Sequence, residues 1–222
     1  MKREIILTSD GSKTIFLPEL NENYHSGHGA LQEAIHVFIR NGLNTLDRQE
    51  LSVFEVGFGT GLNAYLTMLD VLESGKKVKY SGIEAFPVSS EMIKELNYPD
   101  SLQGKLETEF YSMHELGWGK EHELIPGFHF TRIHDKIQNL TIADPNFDLI
   151  YFDAFGPRAQ GEMWEMEVLE KVAGLLKPEG VLVTYCARGQ FKRDLRSLGL
   201  EVQSLPGPPG KREMTRAVKK GH

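Results

Sequence analysis

The sequence predicts an α/β protein built around a mostly parallel, doubly wound β-sheet. From residue 52 onward, short apolar runs typical of buried strands alternate with segments whose apolar residues recur at helical spacing. Such alternation is typical of parallel strands joined by helical crossovers. The last two extended segments are separated only by a turn rich in proline and glycine, which predicts an antiparallel hairpin at the C-terminal end.

The composition is typical of a folded globular protein. Hydrophobic residues make up 40% and charged residues 25% of the 222 residues, which excludes collagen-like and disordered chains. No apolar run approaches the roughly 18 residues that a membrane helix needs, and the N-terminal apolar patch is too short for a signal-peptide core. The single cysteine, Cys186, cannot form an internal disulfide, and no cysteine or histidine spacing indicates a zinc site. We therefore expect a cytoplasmic protein without a metal and without a membrane partner.

The first 45 residues predict a small N-terminal extension to the sheet. Two short apolar runs within residues 5–17 flank a Ser-Asp-Gly-Ser turn and predict a β-hairpin. After a loop, apolar residues at helical spacing predict a helix over residues 30–40. We expect residues 1–45 to form this hairpin-and-helix extension and residues 46–222 to form the core, with both parts in one compact domain.

The remaining elements follow the alternating pattern in order. Strands are predicted over residues 53–56, 78–83, 128–133, 147–152 and 181–185, and helices over residues 62–72, 89–96, 162–176 and 190–198. Extended segments over residues 200–204 and 214–218 make the predicted terminal hairpin. Residues 99–127 contain short apolar clusters and several glycines, and they predict no definite element.

The strongest local signal is a glycine-rich loop between the first core strand and its helix. It reads Glu55-Val-Gly57-Phe58-Gly59-Thr-Gly61-Leu-Asn63. Glycine lets a backbone turn tightly and approach a ligand closely. Leu62 replaces the third glycine of a dinucleotide-binding fingerprint, and no Lys-Ser/Thr pair of a phosphate-binding loop follows. The loop instead resembles that of S-adenosylmethionine-dependent methyltransferases, and we predict S-adenosyl-L-methionine as its cofactor.

Two acidic residues at later strand ends support this cofactor. Glu84 ends the second core strand, where a carboxylate accepts hydrogen bonds from both ribose hydroxyls. Asp135 ends the third strand, where it is placed to bind near the adenine amino group. The alternatives are a solvated carboxylate for Glu84 and a helix N-cap ahead of Lys136 for Asp135.

A third acidic residue, Asp153, ends the fourth core strand and precedes a stiff Ala-Phe-Gly-Pro turn. In an open α/β sheet this is the edge at which ligands bind. Methyl transfer from a sulfonium is an in-line displacement, so an amine acceptor needs a free lone pair. Asp153 at this position would bind the N–H groups of the amine, orient the lone pair and receive the released proton.

Charge is segregated along the chain, although the formal net charge is −6. From Cys186 to the end there are nine lysine and arginine residues and three acidic residues, so this segment carries +6 and the rest of the chain −12. Such segregation indicates a surface for a polyanion, and a solvated basic tail is the alternative.

Several longer motifs resemble one family. The runs Asp153–Trp164, Tyr185–Arg193 and Pro206–Met214 resemble the signature of the tRNA 5-methylaminomethyl-2-thiouridine methyltransferases. The segments Thr8–Thr14, Glu22–Ser26 and His36–Ile39 resemble the stand-alone, MnmD-type branch. This resemblance implies a Rossmann-like methyltransferase fold. The bifunctional MnmC relatives carry an additional oxidoreductase for which 222 residues leave no room, so a separate enzyme is expected to make the aminomethyl precursor.

The resemblance also assigns residues to the site. Gly57, Phe58, Gly59, Gly61, Asn63 and Glu84 would line the cofactor site together with the strand residue Glu55, Asp135 would lie near adenine, and Asp153 would be the catalytic acid/base. We expect Tyr24 and His25 to close over the cofactor or the acceptor base, with packing on the sheet edge as the alternative.

The resemblance implies a tRNA anticodon stem-loop as the partner. Lys192, Arg193, Arg196, Lys211 and Arg212 would contact its phosphates, and Phe155, Trp164 or Tyr24 would stack on an unstacked wobble uridine unless they belong to the core. The expected reaction converts 5-aminomethyl-2-thiouridine to 5-methylaminomethyl-2-thiouridine. The alternatives are N-methylation of a small-molecule amine and a binding module that holds the cofactor without catalysis.

Overall fold

A computed structural model describes residues 2–141 and 146–221 of the chain, and Met1, residues 142–145 and His222 lie outside the described residues. Within these ranges the strands, in chain order, are β1 (Glu4–Leu7), β2 (Lys13–Leu17), β3 (Glu22–Asn23), β4 (Glu50–Val56), β5 (Lys77–Glu84), β6 (Glu121–Ile125), β7 (Phe128–His134), β8 (Phe147–Phe152), β9 (Leu176–Thr184), β10 (Leu200–Pro206) and β11 (Glu213–Lys219).

Helices connect these strands. They are α1 (Ala30–Ala34), α2 (Leu62–Ser74), α3 (Ser90–Leu96), α4 (Tyr98–Ser101), α5 (Glu107–Glu115), α6 (Met166–Leu175) and α7 (Gly189–Ser197). A π-helical segment, Ile35–Arg40, continues α1, and short 3-10 turns occur at Leu43–Thr45, Ile137–Asn139 and Gly161–Trp164. No helix in the described part of the chain is long and apolar enough to cross a bilayer.

The main sheet has eight strands in the order β10-β11-β9-β8-β4-β5-β7-β6. The five central strands, from β9 to β7, pair in parallel. The outer strands pair antiparallel, β10 with β11 and β11 with β9 at one edge, and β6 with β7 at the other. This confirms the predicted α/β class, the mostly parallel sheet and the C-terminal antiparallel hairpin.

Apolar side chains on both faces of the sheet explain why the central strands are buried. Tyr151 of β8 packs in a cluster with α1, α2 and α5, whereas its neighbours Ile150 and Phe152 pack in a second cluster with α6 and α7. Successive residues of a strand point to opposite faces, so a fully apolar strand is stable only between two helical layers. All six residues of β8 are buried accordingly.

The N-terminal segment forms a separate three-stranded sheet. The predicted hairpin is present, with β1 antiparallel to β2, and the short strand β3 adds to β2 through the pairs Phe16–Asn23 and Leu17–Glu22. Ile15 and Leu17 of β2 are buried in the same cluster as α1 and α2. This packing places the loop after β3, with Tyr24 and His25, at the carboxyl edge of the main sheet.

Three segments differ from the sequence prediction. The unassigned residues 99–127 contain α5 and the edge strand β6. The helix predicted over residues 162–176 is divided, because Glu165 is extended (φ −77°, ψ 155°) between the 3-10 turn and α6. Strand β9 begins at Leu176 instead of Val181, and its pairing with β8 shifts register between Phe147 and Leu149 to accommodate the Lys-Pro-Glu-Gly segment.

A buried carboxylate stabilises the start of β4 and β8. Asp148 is 4% exposed. It accepts hydrogen bonds from the Ser52 backbone N–H (2.8 Å), from Arg48 Nη1 (2.5 Å) and from Lys177 Nζ (2.9 Å). Burial alone would raise the pKa of this carboxyl, but the bonds from Ser52 and Lys177 outweigh burial and hold the pKa below its ordinary value.

We predict that Asp148→Asn lowers the free energy of unfolding by about 2–3 kcal/mol at pH 7, because a buried ion pair loses its anion. A folded-state pKa below the unfolded value contributes stability above the unfolded pKa, and that contribution is lost as the pH falls through the folded pKa. The difference between the variant and the wild type should therefore shrink as the pH falls below about 4, measured by urea unfolding.

Glu50→Gln is the control for this prediction. Glu50 pairs with Lys77 on the surface, where both side chains are more than half exposed, so its loss should cost no more than about 0.5 kcal/mol. A cost for Asp148→Asn that is the same at pH 3 and pH 7 would contradict the role assigned to the charge.

Candidate active site

A cavity of about 970 Å³ opens at the carboxyl ends of β4, β5 and β8. Its size is that of a cleft for a cofactor-sized ligand. The predicted site residues that line it are Tyr24, Gly57, Phe58, Gly59, Asn63, Glu84, Asp135, Asp153 and Phe155. The structure therefore brings together residues that are up to 131 positions apart in the sequence, from Tyr24 to Phe155.

The glycine loop passes very close to the end of β8. Gly57 has φ +88°, and a Cβ atom built on it would lie 2.4 Å from the carbonyl oxygen of Asp153. Both the backbone conformation and the contact therefore require glycine. Gly61, with φ +72°, begins α2, and its missing Cβ would meet His114 and Met113 at 2.8 Å. Gly61 thus shapes the packing behind the loop, and it does not line the cavity.

Glu84 holds the glycine loop in place. Its two carboxylate oxygens accept hydrogen bonds from the backbone N–H of Gly59 (2.9 Å) and of Phe86 (2.7 Å). Each carboxylate oxygen has two lone pairs, so these bonds leave capacity for hydroxyl donors in the cavity. The carboxylate thus organises the loop and lines the cavity at the same point.

Behind the loop, a buried polar network joins β4, α2 and β8. Asn63 Nδ2 lies 2.8 Å from Glu55 Oε1 and 2.8 Å from Asp153 Oδ2, and it donates to both. Tyr80 Oη donates to the other Glu55 oxygen at 2.7 Å. Glu55 is 1% exposed, and it lies behind the cavity wall instead of on it. It therefore supports the site through Asn63, in place of the direct cofactor contact that the sequence predicts.

Burial changes the acid–base properties of this network. Burial, followed by the negative charge of Glu33, raises the pKa of Asp153 to about 7, against the hydrogen bond from Asn63 and the charge of Lys211. Burial likewise raises the pKa of Glu55 well above its ordinary value, and the nearby Asp153 adds to the effect. A carboxyl whose pKa is raised toward neutrality is a better proton acceptor than an ordinary carboxylate, which suits a group that exchanges a proton.

Asp135 occupies the far side of the cavity. Its Oδ1 accepts from the Lys136 backbone N–H and from Asn139 Nδ2, both at 2.7 Å. The bond from Asn139 and then the one from Lys136 lower the pKa of this exposed carboxyl. Asp135 therefore closes the turn that follows β7 and lines the cavity as well, so the two predicted roles are compatible.

Tyr24 and His25 form the roof of the cavity. The Tyr24 ring meets the Phe155 ring edge to face, with centroids 4.9 Å apart, and lies 3.3 Å from the point where a Gly59 Cβ would be. His25 is buried beside it, and burial lowers the pKa of its imidazole to about 4. Both residues line the cavity from the loop after β3, as expected of residues that close over a bound ligand.

Three of the residues predicted to contact the substrate do not line the cavity. Trp164 is 8% exposed and donates from its indole N–H to the Phe155 carbonyl (2.8 Å), so it belongs to the core and is not a stacking surface. Lys192 is 7% exposed and donates to Ser204 (2.7 Å) and Glu213 (2.8 Å). Lys211 forms an ion pair with Glu33. Both lysines thus pair with carboxylates of the protein itself, a buried one for Lys211 and a half-exposed one for Lys192, whereas Arg193 and Arg212 are exposed as expected.

Sequence reasoning missed two supporting residues, Glu33 and Tyr80. Glu33 lies in α1 and is 5% exposed, and Tyr80 lies in β5 and is 1% exposed. No motif in the sequence singles out either residue, because their partners Lys211 and Glu55 lie on other elements and only the fold brings them together. No cluster of three or more potential metal ligands occurs among the described residues.

A family model described as S-adenosyl-L-methionine-dependent methyltransferase matches residues 126–220. Two proteins named tRNA 5-methylaminomethyl-2-thiouridine biosynthesis bifunctional protein MnmC are similar over nearly the whole chain. The one from Cupriavidus metallidurans is 31% identical over 96% of this chain and 33% of its own length, and the one from Cupriavidus necator is 29% identical over 96% and 34%. The chain thus spans about a third of these relatives.

A solved structure, that of MnmC2 from Aquifex aeolicus, has a similar fold. It matches 100% of this chain and 71% of its own chain with a TM-score of 0.75, at 22% sequence identity. The two proteins therefore share the α/β fold with a mostly parallel sheet that the sequence predicts.

The residues present fit S-adenosyl-L-methionine. The cavity is large enough, the Gly57 backbone leaves no side chain in the way, and Glu84 offers free lone pairs where a ribose would lie. Asn63 Oδ1 is buried and without a hydrogen-bond partner within the described residues, which leaves an acceptor beside the glycine loop. The cofactor itself supplies a sulfonium methyl group when it is bound.

Gly57→Ala tests the loop. The new Cβ at a positive φ must displace the Asp153 backbone, and strain of about 1–3 kcal/mol should weaken binding of S-adenosyl-L-homocysteine about tenfold or more. The measurement is isothermal titration calorimetry, with circular dichroism to verify the fold.

Gly75→Ala is the matched control, because Gly75 also has a positive φ (+71°) but nothing lies within 4 Å of its Cβ position. It should bind the ligand like the wild type. Wild-type affinity in Gly57→Ala would show that the close approach has no bearing on the cofactor.

Proposed function

We propose that the chain is an S-adenosyl-L-methionine-dependent methyltransferase related to the MnmC proteins, and that it methylates the exocyclic nitrogen of 5-aminomethyl-2-thiouridine at the tRNA wobble position. The product would be 5-methylaminomethyl-2-thiouridine. The observation that carries the proposal is the half-buried carboxylate of Asp153, which lies at the cavity with a raised pKa and accepts a hydrogen bond from Asn63.

Asp153 is proposed as the group that prepares the amine. A primary amine arrives mostly as an ammonium ion, and it has no lone pair until it loses a proton. The Asp153 carboxylate attracts the cation, accepts the proton and hydrogen-bonds the remaining N–H groups, so that the lone pair is directed away from it. Asn63 fixes one carboxylate oxygen and leaves the other, Oδ1, for the substrate.

The glycine loop and the neighbouring strand ends are proposed to hold the cofactor. Backbone groups of Gly57–Gly59 would receive its amino-acid part, Glu84 its ribose hydroxyls, and Asp135 with the Ile137–Asn139 turn its adenine. Glu55 lies behind the cavity wall, where it accepts a hydrogen bond from the Asn63 amide and holds it in place. These assignments rest on the lining residues of the cavity and on their free hydrogen-bonding capacity.

Fewer residues are proposed to contact RNA than the sequence alone implies. Arg193, Arg196 and Arg212 are exposed basic side chains in the C-terminal segment and are proposed to contact phosphates. Phe155 and Tyr24, which line the cavity, are proposed to hold the unstacked base. Because the proposed reaction consumes an aminomethyl group, we propose that the protein works in the cytoplasm after an enzyme that makes this precursor.

N-methylation of a small-molecule amine is the second candidate, because the same carboxylate would serve any amine that reaches the cavity. The two candidates differ in their dependence on the exposed arginines. A small amine has no phosphates, so its turnover would not require them.

Asp153→Asn is predicted to lower kcat by about 10²–10⁴-fold, since the neutral amide accepts no proton. Binding of S-adenosyl-L-homocysteine should stay within about threefold of the wild type, because the side chain keeps its shape and its acceptor toward Asn63. The assay is single-turnover transfer of labelled methyl to tRNA that lacks the terminal methyl, followed by nucleoside mass analysis.

The same assay has a pH dependence with a defined sign. Asp153 works as the carboxylate, and its pKa is raised to about 7, so wild-type kcat/KM should fall as the pH drops below that value.

Retention of full activity in Asp153→Asn would remove this residue from the mechanism. Asp194→Asn, at a half-exposed carboxylate bonded to Gln190, is the control and should leave the rate unchanged.

Salt dependence separates the two candidate substrates. With tRNA, log(kcat/KM) should fall linearly with the logarithm of the salt concentration, and Arg193→Ala or Arg212→Ala should each reduce that slope by about one. Turnover of tRNA that is indifferent to salt and to both substitutions would refute the proposed RNA surface and favour the small-molecule amine.

A further inference from the structure

Lys211 makes contacts that a phosphate-binding lysine would not make. Its ammonium pairs with Glu33, a side chain that is 5% exposed, and lies 3.8 Å from the centre of the Tyr185 ring. A cation over an aromatic face is held by the ring quadrupole as well as by the carboxylate. The half-buried Lys211 is thus held from two sides by the protein, while its neighbour Arg212 is exposed.

Tyr185 connects this lysine to the reactive end of β8. Its hydroxyl donates to the carbonyl oxygen of Ala154 at 2.8 Å. Ala154 directly follows Asp153, whose own N–H donates to the Val56 carbonyl at 2.9 Å. The backbone on both sides of Asp153 is therefore fixed, by β4 before it and by Tyr185 after it.

Glu33 connects the same lysine to the roof of the cavity. Its second carboxylate oxygen accepts from the Ser26 backbone N–H at 2.7 Å, directly after His25. The loop that carries Lys211 also rests on the N-terminal extension, since His36 Nε2 lies 2.8 Å from the Pro206 carbonyl oxygen and a Cβ on Gly210 would overlap His28. The C-terminal hairpin and the N-terminal helix thus meet at the Glu33–Lys211 pair.

We propose that Glu33, Tyr185 and Lys211 form a clamp that positions Asp153 and the roof loop for the acceptor, so that Lys211 is a positioning residue and not a phosphate contact. The clamp rests on the proposed function of Asp153, and it assigns roles to three residues outside the cavity. Lys211 keeps the Glu33 anion neutralised, Tyr185 fixes the turn after Asp153, and Glu33 fixes the backbone after His25.

The clamp also affects the charge at Asp153. The titratable groups that act on Asp153 or on the clamp come from several elements: Glu33, Lys211, Glu55, Tyr80, Tyr98, Tyr185 and His25. Among these, Glu33 raises the pKa of Asp153 and Lys211 lowers it. Removal of Lys211 would leave the Glu33 charge uncompensated, and Asp153 would then bind its proton more tightly.

The kinetic test compares Lys211→Met with the wild type in the tRNA methylation assay. We expect kcat to fall about tenfold while KM for tRNA stays within about twofold and the salt slope is unchanged, because the reacting groups are misplaced and RNA binding is not altered. Lys211→Arg, which keeps the cation, should recover most of the rate. A raised KM and a salt slope reduced by about one, with kcat retained, would identify Lys211 as a phosphate contact and overturn the clamp.

A second measurement does not depend on the substrate. In protein labelled with ¹³C at the aspartate carboxyl carbons, the Asp153 signal is identified by its absence in Asp153→Asn and titrated by NMR. The midpoint should move to higher pH in Lys211→Met, to lower pH in Glu33→Gln, and back toward the wild-type value when both changes are combined. Lys79→Met, an exposed lysine on β5, is the control and should leave it unmoved.

These results separate the clamp from the proposed reaction. No methyl transfer to tRNA by the wild-type protein would refute the proposed function, yet the carboxyl titration would still support the clamp if the midpoints move as described. An Asp153 midpoint that is the same in the wild type, Lys211→Met and Glu33→Gln would overturn the clamp, whatever the substrate. Glu33→Gln keeps the result informative if Lys211→Met fails to fold.

Discussion

The arrangement of the whole site depends on one close approach between two backbones. Gly57 passes so near the end of β8 that a Cβ atom would lie 2.4 Å from the Asp153 carbonyl oxygen. Asn63, on the helix that the same loop begins, then reaches both Glu55 and Asp153 with a single amide group. The loop that is proposed to bind the cofactor and the carboxylate that is proposed to activate the acceptor are therefore parts of one rigid unit.

The rest of the structure supports that unit from outside. Glu84 holds the loop through the Gly59 N–H, and the two helical layers bury β4 and β8, so Glu55 and Tyr80 at the back of the polar network are shielded from water. Burial is also what raises the pKa of Asp153 toward neutrality. A carboxylate on the protein surface would stay ionised and would accept a proton from an ammonium ion less readily.

Much of this fold and part of this site are predictable from the sequence. There is a physical reason why the remaining features are not. Strands such as 147–152 and the glycine loop are encoded by neighbouring residues, so their pattern is visible in the chain, and acids at strand ends such as Glu84 meet because parallel strands end at the same edge. The ion pairs of Lys192 and Lys211 cannot be recognised from neighbouring residues, because their partners Glu213 and Glu33 lie 21 and 178 positions away in the sequence. Some of the basic residues that the sequence assigns to a binding surface are therefore paired with carboxylates of the protein itself.

A crystal structure of the complex with S-adenosyl-L-homocysteine tests the central claim most directly. We expect the ribose hydroxyls on Glu84 and the sulfur facing Asp153, with both Asn63 bonds to Glu55 and Asp153 preserved. A sulfur directed toward Asp135, or an Asn63 side chain turned away from Asp153, would contradict the claim that one rigid unit presents the cofactor and the carboxylate to the same acceptor.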